Sequence, residues 1–311
     1  MKKLFLYTIV LSFAVFMLGC ANSSGAGFPE DNQKLNVATS FYTMYDFASK
    51  IGGDKVNIVN IVPSGMEPHD FELKSGDITR LQKAKVFIYN GAGMENWVDK
   101  VVTSANNKDL ILVEASKGIK LLEGSAVHEG EKKGENVLQY DPHVWLNPQN
   151  AILELSAIKD AFVKADPKDK DYFEQNFETY KVKINELDKE YKSVVSSFKK
   201  KEIVVAHAAF GYLCDAYGLK QVAIEGLNAE SEPTAARMAE ISKYAKEQKF
   251  KVIFFEELVS PKVAQTIAKE AGAQTEMLNP LEGISDDAKK QGKEYISIMR
   301  DNLESLKKAL N

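Results

Sequence analysis

Short β-branched runs alternate with longer amphipathic stretches in two separate blocks of this chain, and that alternation admits few folds. A parallel neighbour can be reached only by a crossover of a dozen or more residues, so the pattern predicts α/β units with parallel sheets. The first block offers strands at residues 35–40, 56–62, 85–90 and 110–114, and the second at 203–206, 222–225, 252–255 and 275–278. A helical pattern over 41–51 is closed by Gly52 and Gly53, a stop signal of the kind glycine supplies after a last turn.

A segment of different character joins the blocks. Phe173, Phe177, Tyr180, Ile184, Leu187, Tyr191, Val194 and Phe198 recur at alternating spacings of four and three among charged residues, which predicts one long helix. Such spacing also suits a coiled-coil seam between two copies. Aromatic residues dominate the stripe, however, and an α/β block on either side can cover it, so a rigid strut in a monomer is the better reading.

The expected organisation is a signal peptide at 1–19, a lipidated cysteine and tether at 20–33, an N-terminal α/β lobe at 34–165, a linking helix at 166–200 and a C-terminal α/β lobe at 201–311. Lys2 and Lys3 precede an apolar run that stops at Gly19-Cys20, the pattern of a secretory signal. At ~15 residues this run is short for a membrane span, which needs roughly 20. Residues 21–33 are rich in Ser, Gly, Pro and Asn, a composition for a tether. With Cys20 set aside, the second cysteine, Cys214, stands alone in an apolar stretch, which excludes a disulfide scaffold and suits a small buried hydrophobe. Lys and Arg total 40 against 44 Asp and Glu, for a net charge of −4, and nothing in this balance suggests nucleic acid.

Three of the four histidines occupy unusual settings. His69 follows the second strand in Met66-Glu67-Pro68-His69-Asp70-Phe71-Glu72, and His143 follows the fourth in Asp141-Pro142-His143-Val144-Trp145. In both, a proline stiffens the approach to the imidazole. His207 ends the apolar run Ile203-Val204-Val205-Ala206, and Glu282 follows the last strand in Asn279-Pro280-Leu281-Glu282-Gly283. Open parallel sheets bind ligands beyond the carboxyl ends of their strands, and each block places two of these residues there. Three imidazoles and a carboxylate suit Zn²⁺, with more oxygens needed to favour Mn²⁺. His128, alone among charged residues and glycines in a loop, is a shuttle candidate, and Glu67, Glu72 and Asn279 are candidates for supporting the site.

These four motifs, in this order and with the Met17-Leu18-Gly19-Cys20 lipobox, resemble the zinc-binding (ZnuA/AdcA-type) solute-binding lipoproteins of metal ABC transporters. Ser231-Glu232-Pro233-Thr234 is similar to the stretch before a family helix. The resemblance implies a TroA-like fold of two (β/α)₄ Rossmann-like lobes joined by a long helix. It implies His69, His143 and His207 as ligands of a metal held between the lobes and delivered to a membrane permease with a cytoplasmic ATPase. It also implies acylation of Cys20 and residence on the extracytoplasmic face of the cell membrane. The fourth position varies in the family; with Asn279 a poor ligand, Glu282 is the choice and a bound water the alternative. The rivals are a manganese-binding relative, a surface adhesin for laminin or matrix, and a zinc hydrolase, which lacks any His-Glu-x-x-His motif here.

Overall fold

A computed structural model of the chain describes residues 27–29, 33–69, 71–124, 138–227 and 233–311. In its first half the elements run β1 (Leu35–Thr39), α1 (Tyr42–Gly52), β2 (Val56–Asn60), α2 (Ser75–Lys83), β3 (Val86–Tyr89), α3 (Val98–Ala105), β4 (Ile111–Glu114) and α4 (Pro148–Ala165). The long helix α5 (Lys170–Ser196) follows. The second half holds β5 (Glu202–Val205), α6 (Gly211–Tyr217), β6 (Lys220–Ala223), α7 (Ala235–Glu247), β7 (Val252–Phe255), α8 (Lys262–Ala271), β8 (Gln274–Met277), α9 (Asp286–Lys290) and α10 (Tyr295–Leu310). All eight expected strands are present, each within two residues of its expected bounds.

Every pairing is parallel, and the orders β2-β1-β3-β4 and β6-β5-β7-β8 repeat the same winding. In each sheet the chain steps outward once and then crosses back over its first strand. The loops therefore part at the carboxyl end of that first strand, which leaves a crevice for a ligand. Gly53, past the end of α1, has φ +50°, a left-handed value that glycine tolerates without a Cβ penalty.

Strand β5 shows how the halves are joined. Ile203 and Val205 face a large core shared with the first sheet, α5 and α10, whereas Val204 faces a smaller core under α7 and α8. The stripe of α5 is buried at Phe173, Phe177, Tyr180, Ile184, Leu187 and Tyr191, and the helix packs against α1, α4, α6 and α10 of its own chain. That covers the surface a coiled-coil partner would need. Polar ties also cross between the halves: Trp145 Nε1 donates to Pro280 O at 2.8 Å, and Tyr295 OH donates to Trp145 O at 2.7 Å. Among the described residues no helix is long and apolar enough to cross a membrane.

Candidate metal centre

The two halves present their chemistry differently. His207 lies two positions beyond the end of β5, so a core strand aims it almost directly. Glu282 follows β8 by a short turn in which buried Leu281 has φ +64°, a left-handed value that costs a non-glycine residue on the order of 1 kcal/mol. That turn swings the Glu282 carboxylate inward. His69 and His143 sit on longer excursions from β2 and β4, and each is fixed by a local carboxylate. Glu67 Oε1 accepts from His69 N at 3.2 Å, and Asp141 Oδ1 accepts from His143 N at 2.9 Å.

Two carboxylates also set ring orientation. Asp141 Oδ1 lies 2.7 Å from His143 Nδ1, and Glu256 Oε1 lies 2.6 Å from His207 Nδ1. An imidazole that donates from Nδ1 turns the Nε2 lone pair the other way, and here both Nε2 atoms turn toward the crevice. Gly211, opening α6, makes room for this arrangement: a Cβ there would meet Asp141 Oδ2 at 2.3 Å.

At the centre, His69 Nε2 lies 3.3 Å from His143 Nε2 and 3.2 Å from Glu282 Oε1. His207 Nε2 lies 3.4 Å from both His143 Nε2 and Glu282 Oε1, and His143 Nε2 lies 2.6 Å from Glu282 Oε1. A tetrahedron with metal bonds of about 2.05 Å has six edges of about 3.3 Å; four of these five separations match that length, and the sixth pair, His69 and His207, lies within 4.8 Å. The fifth, at 2.6 Å, is shorter, as suits a charge-assisted hydrogen bond between an imidazole and a carboxylate. His69, His143, His207 and Glu282 are all buried, and their ligand atoms lie within 4.8 Å of one another.

Electrostatics explain how such a group stays folded. Burial pushes the His69 pKa down. Burial acts the same way on His143 and His207, but Asp141 and Glu282 raise the first above the usual value and Glu256 and Glu282 raise the second well above it. Burial would raise the Glu282 pKa, yet the charges of His207 and His69 and hydrogen bonds from the imidazoles hold it well below the carboxylate range. The assembly is a negative oxygen shared among imidazoles, and a divalent cation can replace the protons.

Of the other candidates, Glu67 is buried beside the centre and its carboxyl is pushed up to about 9, by burial first and then by Glu282. Glu72 is exposed and joins no contact at the centre. Asn279 stands outside the four: its Nδ2 donates to Glu257 Oε2 at 2.8 Å and its Oδ1 accepts from Leu281 N at 2.7 Å, which supports the turn that carries Glu282. His128, Cys20 and the pair Ser231-Glu232 lie outside the described residues. Trp145 is fully buried with its ring centroid 5.5 Å from that of His143, and Cys214 is a buried free thiol whose pKa burial pushes up. Sequence reasoning assigned no role to Asp141 or Glu256. The available signal was position: Asp141 is two residues before His143, and Glu256 directly follows β7.

Comparison with known proteins places the chain in a family. Residues 37–309 match the family described as ZnuA, zinc-uptake complex component A, periplasmic. The high-affinity zinc uptake system protein ZnuA of Bacillus subtilis (strain 168) is 44% identical over 309 residues, covering 98% of this chain and 97% of that protein. The zinc-binding lipoprotein AdcA of Streptococcus pneumoniae (strain ATCC BAA-255 / R6) is 39% identical across 99% of this chain, which spans only 61% of AdcA. The crystal structure of the Zn(II)-bound ZnuA-like domain of Streptococcus pneumoniae AdcA superposes with a TM-score of 0.77 at 39% identity, covering 89% of this chain and 99% of that one. The laminin-binding protein Lmb of Streptococcus agalactiae, described as bifunctional with adhesin and metal-transporting activity, gives a TM-score of 0.79 at 32% identity, covering 89% of this chain and all of that one. With nearly its whole length matched, the chain belongs to the family of zinc-uptake complex component A.

Proposed function

We propose that this chain captures Zn²⁺ between its two halves with His69, His143, His207 and Glu282, and delivers it to an ABC-transporter permease driven by a cytoplasmic ATPase. The observation that carries this reading is the near-tetrahedral spacing of three Nε2 atoms and one carboxylate oxygen, contributed equally by the two halves. Three nitrogens and one oxygen suit Zn²⁺ better than Mn²⁺, which prefers more oxygen ligands. Four protein groups fill a tetrahedron and leave no open position for a reactive water, which argues for a carrier over a hydrolase.

The family description is periplasmic, and several relatives are zinc-uptake proteins or lipoproteins. In keeping with these, the working form is a monomer on the extracytoplasmic face of the membrane, held by acylated Cys20. Its lobes span 34–165 and 201–311 with the linker at 166–200 between them. Zinc titration of the parent and of His69→Ala, His143→Ala, His207→Ala and Glu282→Ala tests the site. Stoichiometric binding at parent affinity by the three histidine variants would end the assignment. Adhesion is a second reading, favoured by the likeness to Lmb; laminin binding compared between metal-free and zinc-loaded protein tests it.

A further inference from the structure

Glu282 forms part of the wall of two openings, and their charge differs. One is a cavity of about 200 Å³ with Tyr42, Tyr45, Asp46, Lys289 and Lys293 among its lining residues. Its acids Asp46 and Glu282 are balanced by Lys289 and Lys293; Asp46 is also paired with Lys50 at 3.6 Å and Lys293 with Asp301 at 2.5 Å. The other is a crevice of about 10 Å³ between the halves, lined by Glu67 from the first and by Glu256, Glu257, Asn279 and Glu282 from the second. A cation gains little from the charge-balanced first opening and is drawn to the second, where carboxylates face it without a lysine.

Within the crevice, two carboxylates have an oxygen to spare. Glu256 Oε1 is held by His207 Nδ1, and Glu282 Oε1 faces the imidazoles. Their Oε2 atoms are buried without a hydrogen-bond partner, although Glu256 is only 3% and Glu282 only 2% exposed. Leaving a buried carboxylate oxygen unpaired is costly, and a divalent ion relieves that cost. The volume suits an ion that has shed most of its water. Half-buried Glu257 stands at the same crevice, its carboxylate held by Asn279 Nδ2.

We propose that the cation enters and leaves through this crevice, met by Glu257 and the free oxygen of Glu256 with Glu67 on the facing wall, and is passed to the centre by Glu282, whose Oε1 meets the imidazoles while its Oε2 has no partner. This rests on the zinc-capture reading above. Oxygen donors hold zinc less tightly than imidazoles do, so the hand-over runs inward. Among the described residues the crevice carboxylates form no second compact metal group, which fits passage and not storage.

Stopped-flow loading of the full chain with Zn²⁺, read against a fluorescent zinc chelator, tests the route. Glu257→Gln should slow association about threefold to tenfold at low ionic strength, with the difference shrinking as salt rises. Because a residue on the path acts on entry and exit alike, dissociation should slow equally and leave Kd within about twofold of the parent. Glu257→Asp, which keeps the charge, should restore most of the rate, and Lys289→Gln at the other opening should load no more slowly than the parent. Parent-rate loading by Glu257→Gln overturns the route, as does a changed Kd with an unchanged association rate. A parent that binds no zinc overturns the capture reading itself, a separate result.

Discussion

The N-terminal and C-terminal halves share one winding but deliver their site residues by different means. The second half fixes His207 and Glu282 within a few residues of β5 and β8, so the strands themselves aim them. The first half sends His69 and His143 out on longer loops after β2 and β4 and restrains them with prolines and with Glu67 and Asp141. A repeated scaffold therefore need not repeat its site. The second half provides a base aimed by its strands, and the first provides arms that reach over to it.

If that division holds, the largest effects come from the base. His207→Ala should cost at least about a thousandfold in zinc affinity, roughly 4 kcal/mol, and more than His69→Ala, because a core strand end fixes that position whereas the longer loop of His69 can adjust. Competition titration against a chelator of known affinity measures both, and a larger loss at His69 would reverse the assignment of base and arm. Removing zinc should be comparable in size. Free zinc at about a thousand times Kd adds about 4 kcal/mol to folding, so a chelated sample should melt on the order of 10 °C lower. Equal Tm values with and without zinc would break the account of both halves.

A third effect is a pH dependence seated in buried carboxyls of the first half. Burial pushes the Glu95 carboxyl from an ordinary 4.5 up to about 7, and Glu154, buried with both oxygens unpartnered, is raised further. Both belong to the first half, and there the folded state binds protons that the unfolded chain releases. The associated stability is complete below about pH 4.5 and is lost as pH rises through about 7, with about 3 kcal/mol at stake for Glu95. Denaturant unfolding of metal-free protein between pH 5 and 8 should show the decline, and Glu95→Gln should flatten it. A parent whose stability rises over that range would refute the prediction.

Smaller still are changes behind the ligands. Asp141→Asn and Glu256→Gln should each lower zinc affinity about tenfold to a hundredfold by loosening one imidazole. Gly211→Ala, which crowds Asp141 but not Glu256, should reproduce a fraction of the Asp141→Asn loss. If Gly211→Ala binds zinc as the parent does, Asp141 tolerates displacement and the first half is less finely restrained than its hydrogen bonds suggest.

Much of this was legible in the amino-acid order because strand ends announce themselves. Val252–Phe255 is an unbroken apolar run with a carboxylate behind it, and the Pro-His steps mark loops that must be stiff. The motifs also single out the four residues that the structure brings together, since their types and positions relative to strands are local facts. What stayed hidden was pairing at a distance. That Glu256 serves His207, 49 positions earlier, follows from β7 lying beside β5, and single-chain periodicity does not give sheet order. Proximity in sequence is no better a guide: Glu72 is three residues from His69, yet the chain turns it out to solvent.

The core that runs unbroken from the first sheet through α5 to the inner face of the second carries a thermodynamic consequence. Neither half can open its share of that interior without stripping the other, so a calorimeter should record a single cooperative transition where the topology shows two sheets.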